Sequence, residues 1–287
     1  MPYPILTLPY PFARRLCQLL NPEELENLQI AAGYNTRHLK PIIQLIKTQT
    51  AGINNENSNV TLYFTETRNN HKLTRSKTDE APFLKVESLF LFKLTKSLFE
   101  KSCFTHLFII TEQLNFCGCE ITVDFLKMIA LRIPQIYDVT WLKFVCRCQI
   151  DKDVKLPFIF NTFPNVKVFE INYAYNGWLT DLLDLNVVNQ RGFSLLHKNF
   201  DELFSFNADE LYYFIQKQQT EFFIRLTYIC DADADQDEIK KAVVTLLKPR
   251  FPTVVEPTVV LYPPLPGQIE VSFGVSGLSL KYLYFLP

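Results

Sequence analysis

From Ala81 onward, short runs of β-type residues alternate with stretches of helical pattern, and no other feature of the chain narrows its fold so far. The β-type runs are His106–Thr111, Leu142–Cys148, Val166–Ile171, Ser194–His197, Phe223–Ile229 and Thr258–Tyr262. They recur roughly every 25–35 residues, a spacing typical of repeat architectures. Helical faces fill the gaps. Val123, Leu126, Ile129 and Ala130 share one face before Pro134 breaks it, and Leu179, Leu182 and Leu183 share another. Asn207 with Glu210 has the spacing of a capping box, followed inward by Leu211, Phe214 and Ile215. Asp235 with Glu238 opens a further helix carrying Ile239, Val243 and Leu246.

Strand, helix, strand at this spacing requires crossover connections, which are right-handed and make the sheet mainly parallel. With helices on one face only, such a sheet curves into an irregular, leucine-rich-repeat-like arc. With helices on both faces it is flatter. No repeat follows a strict consensus, and the arc is the form expected. The runs Ile269–Phe273 and Leu280–Phe285, after a Pro-rich stretch, read as a cap where pairing turns antiparallel.

Ahead of this lie two other regions, giving a division into 1–46, 47–80 and 81–287. Residues 47–80 are polar and Asn-rich, with one short β-type run at Val60–Phe64, and read as a linker. The basic run His71, Lys72, Arg75 and Lys77 falls there and reads as a solvated loop. Residues 1–46 have helical pattern. Phe12, Leu16, Leu19 and Leu20 mark a first helix. Asn21, Pro22 and Glu24 form a strong start signal for a second, which Leu25 and Leu28 make amphipathic and Gly33 ends. Leu39, Ile42, Ile43 and Ile46 suggest a third near Pro41. Three short helices cannot bury a core alone, so their apolar surface needs another surface to cover it.

The segment Leu8-Pro9, Phe12, Leu16, Leu20, Pro22, Leu25, Leu28 and Leu39 resembles an F-box. It departs from that pattern at Tyr10, where an acidic residue is usual, and at Ala31-Ala32-Gly33. A second stretch resembles the type-2 F-box-associated domain of a nematode-expanded family. It comprises Trp178-Leu179-Thr180 with Leu183, the run Ser194–Leu196, Asn207–Ile215 and Phe223–Ile229. Leu156–Phe160 and the following run to Phe169 fit the same family.

The resemblance implies an F-box-like module of three helices followed by an α/β substrate-recognition domain. It further implies a substrate receptor of an SCF complex, a cullin-RING ubiquitin ligase. In that reading Leu8, Pro9, Phe12, Leu16, Leu20, Pro22, Leu25 and Leu28 bind a Skp-type adaptor, and the later domain recruits one target protein for ubiquitination. Tyr173, Tyr175, Trp178, Tyr212 and Tyr213 are the candidate substrate-binding residues, because Tyr and Trp dominate interface hot spots; ordinary core packing is the competing account of each. A non-degradative scaffold that sequesters a partner is the alternative function.

Other chemistries are less well supported. The net charge of −1 creates no field to attract nucleic acid or an anionic membrane, and no apolar run approaches the length of a membrane span. Cys117-Gly118-Cys119 and Cys146-Arg147-Cys148 could bring four thiolates together, but structural zinc usually takes two or more residues between paired cysteines. Alternation along a strand would explain the second pair. The acidic run from Asp231 to Glu238 lacks the Gly and Glu of a calcium loop and reads as a helix N-terminus. His38, His71, His106 and His197 lie in no recognisable nucleophile motif. A non-catalytic protein without cofactor or metal is expected. Seven cysteines and no export signal at Met1–Leu8 place it in the cytoplasm or nucleus.

Overall fold

The computed structural model describes residues 15, 20, 22–32, 45–56, 59–66, 69–73, 83–100, 108–133, 136–145, 147–231, 233–251, 254–255, 268–275 and 278–285. The chain is α/β with a mainly parallel sheet, and it divides into two compact units. The first contains Met1–Leu114 and Asp124–Val139, the second Asn115–Val123 and Thr140–Pro287.

In the first unit, helix α1 (Pro22–Ala32) packs on strand β1 (Leu45–Glu56). Leu25 and Gln29, one turn apart, are buried, and Glu26 pairs with Lys47 at 2.9 Å. Strand β2 (Asn59–Glu66) pairs antiparallel with β1, and β3 (Asn69–Leu73) antiparallel with β2. On its other edge β1 runs parallel to β4 (Phe83–Phe92), with Ala51 opposite Leu89 and Ile53 opposite Leu91. These four side chains are fully buried. Helix α2 (Lys96–Glu100) follows, buries Phe99 and leads to β5 (Phe108–Cys117).

The expected linker at 47–80 thus holds strands β1 to β3, and the expected third helix ends inside β1, which takes in Leu45 and Ile46. Apolar residues in β1 are few and do not alternate, Leu45, Ile46, Ala51 and Ile53, and its inner face is completed by the distant β4. A single-sequence pattern cannot show that pairing. The second expected helix is α1. Of the rest of the three-helix module, Leu8, Pro9, Phe12, Leu16 and Leu39 lie outside the described residues.

In the second unit a short parallel pair, β6 (Glu120–Ile121) and β8 (Gln149–Ile150), stands beside the main sheet. The main strands are β7 (Trp141–Val145), β9 (Val168–Ile171), β10 (Gly192–His197), β11 (Phe223–Ile229) and β13 (Gln268–Val275). They are parallel neighbours in the order of the chain. Beyond β13, β14 (Leu278–Phe285) pairs antiparallel, and β12 (Val254–Val255) pairs antiparallel with β14, as the cap reading expects. Helix α3 (Val123–Ala130) follows β6 and from Asp124 onward belongs to the first unit. Helices α4 (Leu156–Thr162) and α5 (Trp178–Asp184) then precede β9 and β10 in turn, and α6 (Phe200–Leu203) and α7 (Ala208–Gln216) precede β11. Helix α8 (Gln236–Leu247) follows it.

Register makes the core legible residue by residue. Leu142, Phe169, Phe193, Ile224 and Ile269 stand side by side across the five parallel strands, and Phe144, Ile171, Leu195, Leu226 and Val271 form the next row. All ten are buried. Each such side chain contributes about 1.5–3 kcal/mol. The opposite pleat carries a polar row: Lys143, Glu170, Ser194, Arg225 and Glu270 stand side by side, with Lys143 and Glu170 3.4 Å apart and Arg225 and Glu270 3.0 Å apart.

Two of the three expected helix caps are present, and the third, Asn21, lies outside the described residues. Asn207 Oδ1 accepts from Glu210 N, while Glu210 Oε2 accepts from Asn207 N, which closes the box on α7. Asp235 Oδ1 accepts from the backbone N–H of Asp237 and Glu238 and starts α8.

Candidate functional site at the strand ends

Because β9, β10 and β11 are adjacent and parallel, their carboxyl ends lie side by side, and the residues just beyond them converge. Tyr173 follows β9 by two residues. Its ring lies 5.8 Å from that of Tyr175 and meets the His197 ring edge-on at 5.9 Å. His197 closes β10, and its Nε2 lies 2.6 Å from Glu202 Oε2. Asn199, between them, caps α6 by accepting from Glu202 N at 3.2 Å, so the cap that starts this one-turn helix also turns Glu202 back toward His197. Phe200 of α6 then meets Tyr228, on β11, edge-on at 5.4 Å.

The five candidate substrate-binding residues are distributed unequally. Tyr173 is half-buried and open to solvent along this rim. Tyr175 is buried and held on three sides: its Oη donates to Asp181 Oδ2 at 2.6 Å and accepts from Leu156 N at 3.0 Å, and Lys155 Nζ sits 3.9 Å above its ring. Trp178 is fully buried; it stacks on Phe193 and its indole N–H donates to Leu203 O at 3.0 Å. It presents no surface to a partner. Tyr212 and Tyr213 lie on α7, where Tyr212 accepts from Gln216 Nε2 and Tyr213, 56% exposed, has Lys217 Nζ 4.2 Å from its ring centroid. Of the five, then, only Tyr173 and Tyr175 are in mutual ring contact at the strand ends. The pairing of His197 with Glu202 was not expected from the sequence. Its signal is Asn199-Phe200-Asp201-Glu202, a cap spacing immediately after a strand.

Among the adaptor-binding candidates, Leu25 is 3% exposed, Leu28 half-buried, Leu20 half-buried, and Pro22 begins α1. On the same helix Ile30 is 68% exposed.

Burial raises the pKa of Tyr173, Tyr175 and Tyr228, reinforced at Tyr173 by Glu202, Asp151 and Asp153, at Tyr175 by its bond to Asp181, and at Tyr228 by Cys230, Asp231 and Asp201. A phenol with a raised folded-state pKa holds its proton more tightly folded than unfolded. The resulting stabilisation is full below the ordinary phenol pKa of about 10 and is lost as pH rises through the folded values. Absorbance titration of the folded chain near 295 nm should therefore show tyrosines ionising above the ordinary range, with unfolding setting in beyond pH of about 10. Tyr175→Phe should remove the last-titrating of these three phenols. A single titration at the ordinary pKa in the folded chain would contradict this.

Of the two cysteine pairs, Cys117, Cys119 and Cys148 are buried packing groups, and Cys146 lies outside the described residues. Cys119 Sγ donates to Cys117 O at 3.6 Å, and Cys148 Sγ donates to Val145 O at 3.1 Å and to Phe116 O at 3.3 Å. Strand β7 ends at Val145 and Arg147 takes a positive φ of 61°, so Cys148 sits in a turn and not, as the alternation reading had it, on the strand. Among the described residues no group of three or more His, Cys, Asp or Glu is placed to hold a metal ion, and no helix is long and apolar enough to cross a membrane. Comparison with protein-family models, with curated proteins and with solved structures finds no match to this chain.

Proposed function

We propose that this chain is the substrate-recognition subunit of an SCF-type ubiquitin ligase, with residues 1–46 binding a Skp-type adaptor and the second unit holding a target protein. The observation that carries the reading is the sequential order of β7, β9, β10, β11 and β13. Right-handed crossovers that always step the same way leave every helix on one face. The neighbouring contacts of α4 with α5 and of α5 with α7 fit a single helical layer. The starts of the strands are tied in the same repeating way: Lys167 N donates to Thr140 O, Arg191 N to Lys167 O and Phe223 N to Arg191 O. Such an arrangement is leucine-rich-repeat-like. It supplies an extended binding surface, and a receptor performs no bond chemistry of its own. Catalysis would come from holding the target near a ubiquitin carrier, an effective-concentration effect.

The scaffold alternative is favoured by one observation. Leu25, a residue of the F-box pattern, is buried within the chain's own first unit. Co-purification with a Skp-type adaptor separates the two readings. The receptor reading expects a stoichiometric complex that Leu8→Asp combined with Leu16→Asp abolishes, while circular dichroism of the variant stays unchanged. A wild-type chain that purifies alone and monodisperse in the presence of the adaptor selects the scaffold.

A further inference from the structure

We propose that the rim at the carboxyl ends of β9, β10 and β11 docks a Lys- or Arg-bearing segment of a partner protein, its cations lying against Tyr173 and Tyr228 and its backbone crossing the strand ends. The inference rests on the receptor reading only for the identity of the segment's owner; the docking itself is a property of the second unit.

Three observations converge on it. The first is the position of the carboxylates. Glu202 is held 2.6 Å from His197 beside Tyr173, and Asp151 and Asp153 act electrostatically on the same tyrosine from the loop after β8. Asp231, in the loop after β11, and Asp201, on α6, act on Tyr228. Asp151, Asp153, Asp201 and Asp231 are all exposed. The second is local charge. The chain as a whole is near neutral, yet the segment after β11 runs through Asp233 and Asp235 into Asp237 and Glu238 of the first turn of α8, with no cation before Lys240. The rim's own cations, Arg147, Lys152, Lys155 and Lys198, are fewer, and Lys155 is engaged over Tyr175. The third is that engagement itself: Lys155 Nζ at 3.9 Å shows a lysine already seated on one tyrosine of this rim. A cation over an aromatic face with carboxylates beside it is favourable in both respects, and Arg can add paired hydrogen bonds to a carboxylate. The surface thus selects a basic segment and repels an acidic one.

The test measures fluorescence anisotropy of two labelled peptides, one alternating Arg with Gly and Ser, the other carrying Glu in place of Arg, against the purified full chain without adaptor. The Arg peptide should bind about tenfold or more tighter than the Glu peptide and weaken as salt is added. Tyr173→Ala, and Asp201→Asn combined with Asp231→Asn, should each weaken it several-fold. Glu221→Gln, ahead of β11 at the other end of the strands, should leave binding unchanged. Equal binding of both peptides, or equal losses for Glu221→Gln and the rim variants, would overturn the proposal. So would tight binding by spermine that the Arg peptide cannot displace. If a rim variant fails to fold, fluorine spectra of wild-type chain labelled with 3-fluorotyrosine decide. The Arg peptide should shift the Tyr173 and Tyr228 resonances and leave Tyr213 in place, and the reverse pattern rejects the rim. None of these results depends on adaptor binding, so a failed adaptor complex and a failed rim are distinguishable.

Discussion

Trp178→Ala should lower the stability of the second unit by about 3–5 kcal/mol, the range for removing a fully buried large aromatic side chain. Trp178 starts α5 and is sealed from solvent. Its indole stacks on Phe193 of β10 at 5.7 Å and meets Phe206 edge-on at 5.7 Å, so it joins sheet, helix and the loop before α7. Its N–H also satisfies Leu203 O at the end of α6. Truncation therefore opens a cavity under three elements and strips a buried carbonyl of its donor. Trp178→Phe keeps most of the packing and should lose about 1–3 kcal/mol, chiefly the unmet carbonyl and the smaller ring. Urea unfolding followed by near-ultraviolet circular dichroism measures both. A loss under about 1 kcal/mol for the alanine variant would mean that the neighbours collapse into the space, and that this ring does not anchor the unit. Because α6 carries Glu202, the variant should also weaken binding at the rim even where it remains folded.

Arg225→Ala should cost about 3–5 kcal/mol, the price of leaving a carboxylate buried without its guanidinium. Arg225 and Glu270 face each other across the parallel β11–β13 pair at 3.0 Å, and their side chains are 13% and 3% exposed. Next to them Thr227 and Ser272 hydroxyls lie 2.9 Å apart, so this strand pair is joined by two polar contacts on the pleat opposite the apolar rows. The double variant Arg225→Met with Glu270→Met should recover most of the loss, because two apolar side chains of similar volume remove the stranded charge along with the pair. The coupling energy from the cycle completed by the single variants Arg225→Met and Glu270→Met is the decisive quantity. Were the double variant as unstable as Arg225→Ala, the loss would come from side-chain volume and the ion pair would carry little of it.

Much of the second unit was legible in the sequence, for identifiable reasons. β11 coincides with the expected Phe223–Ile229, and α7 and α8 begin at the expected caps Asn207 and Asp235. In each case the information is local: β-branched and aromatic residues in a short run, or a side chain three residues from the N–H it serves. Helix α4 was read only as a family-like stretch, although Pro157 sits in its first turn, because Leu156–Thr162 is too short and apolar to show a helical period. Of the first three strands only β2 was anticipated, by the run Val60–Phe64; β1 and β3 escaped because Asn and Thr are common there and the buried partners of Ala51 and Ile53 stand in β4. The tyrosine cluster after β9 was visible as composition. What was not visible is that Trp178 turns inward while Tyr173 stays at the surface, since that depends on the N-cap of α5, Gly177, in the left-handed conformation with φ 82°. The partner of His197 could have been found from Asn199 and Glu202, whose spacing fixes α6.

From β7 to β13 the parallel strands stand in space in the same order as they leave the ribosome. Each new strand finds its hydrogen-bonding edge already in place, and loop closure spans only one crossover at a time. Synthesis can therefore lengthen this sheet from one side, as a zip closes, with no early segment waiting unpaired for a late one. The exposed edge moves along with the growing chain until β14 and β12 pair antiparallel at the end. A chain that stopped after β11 would present that strand's whole free edge to its neighbours, and self-association is the fate such an edge invites.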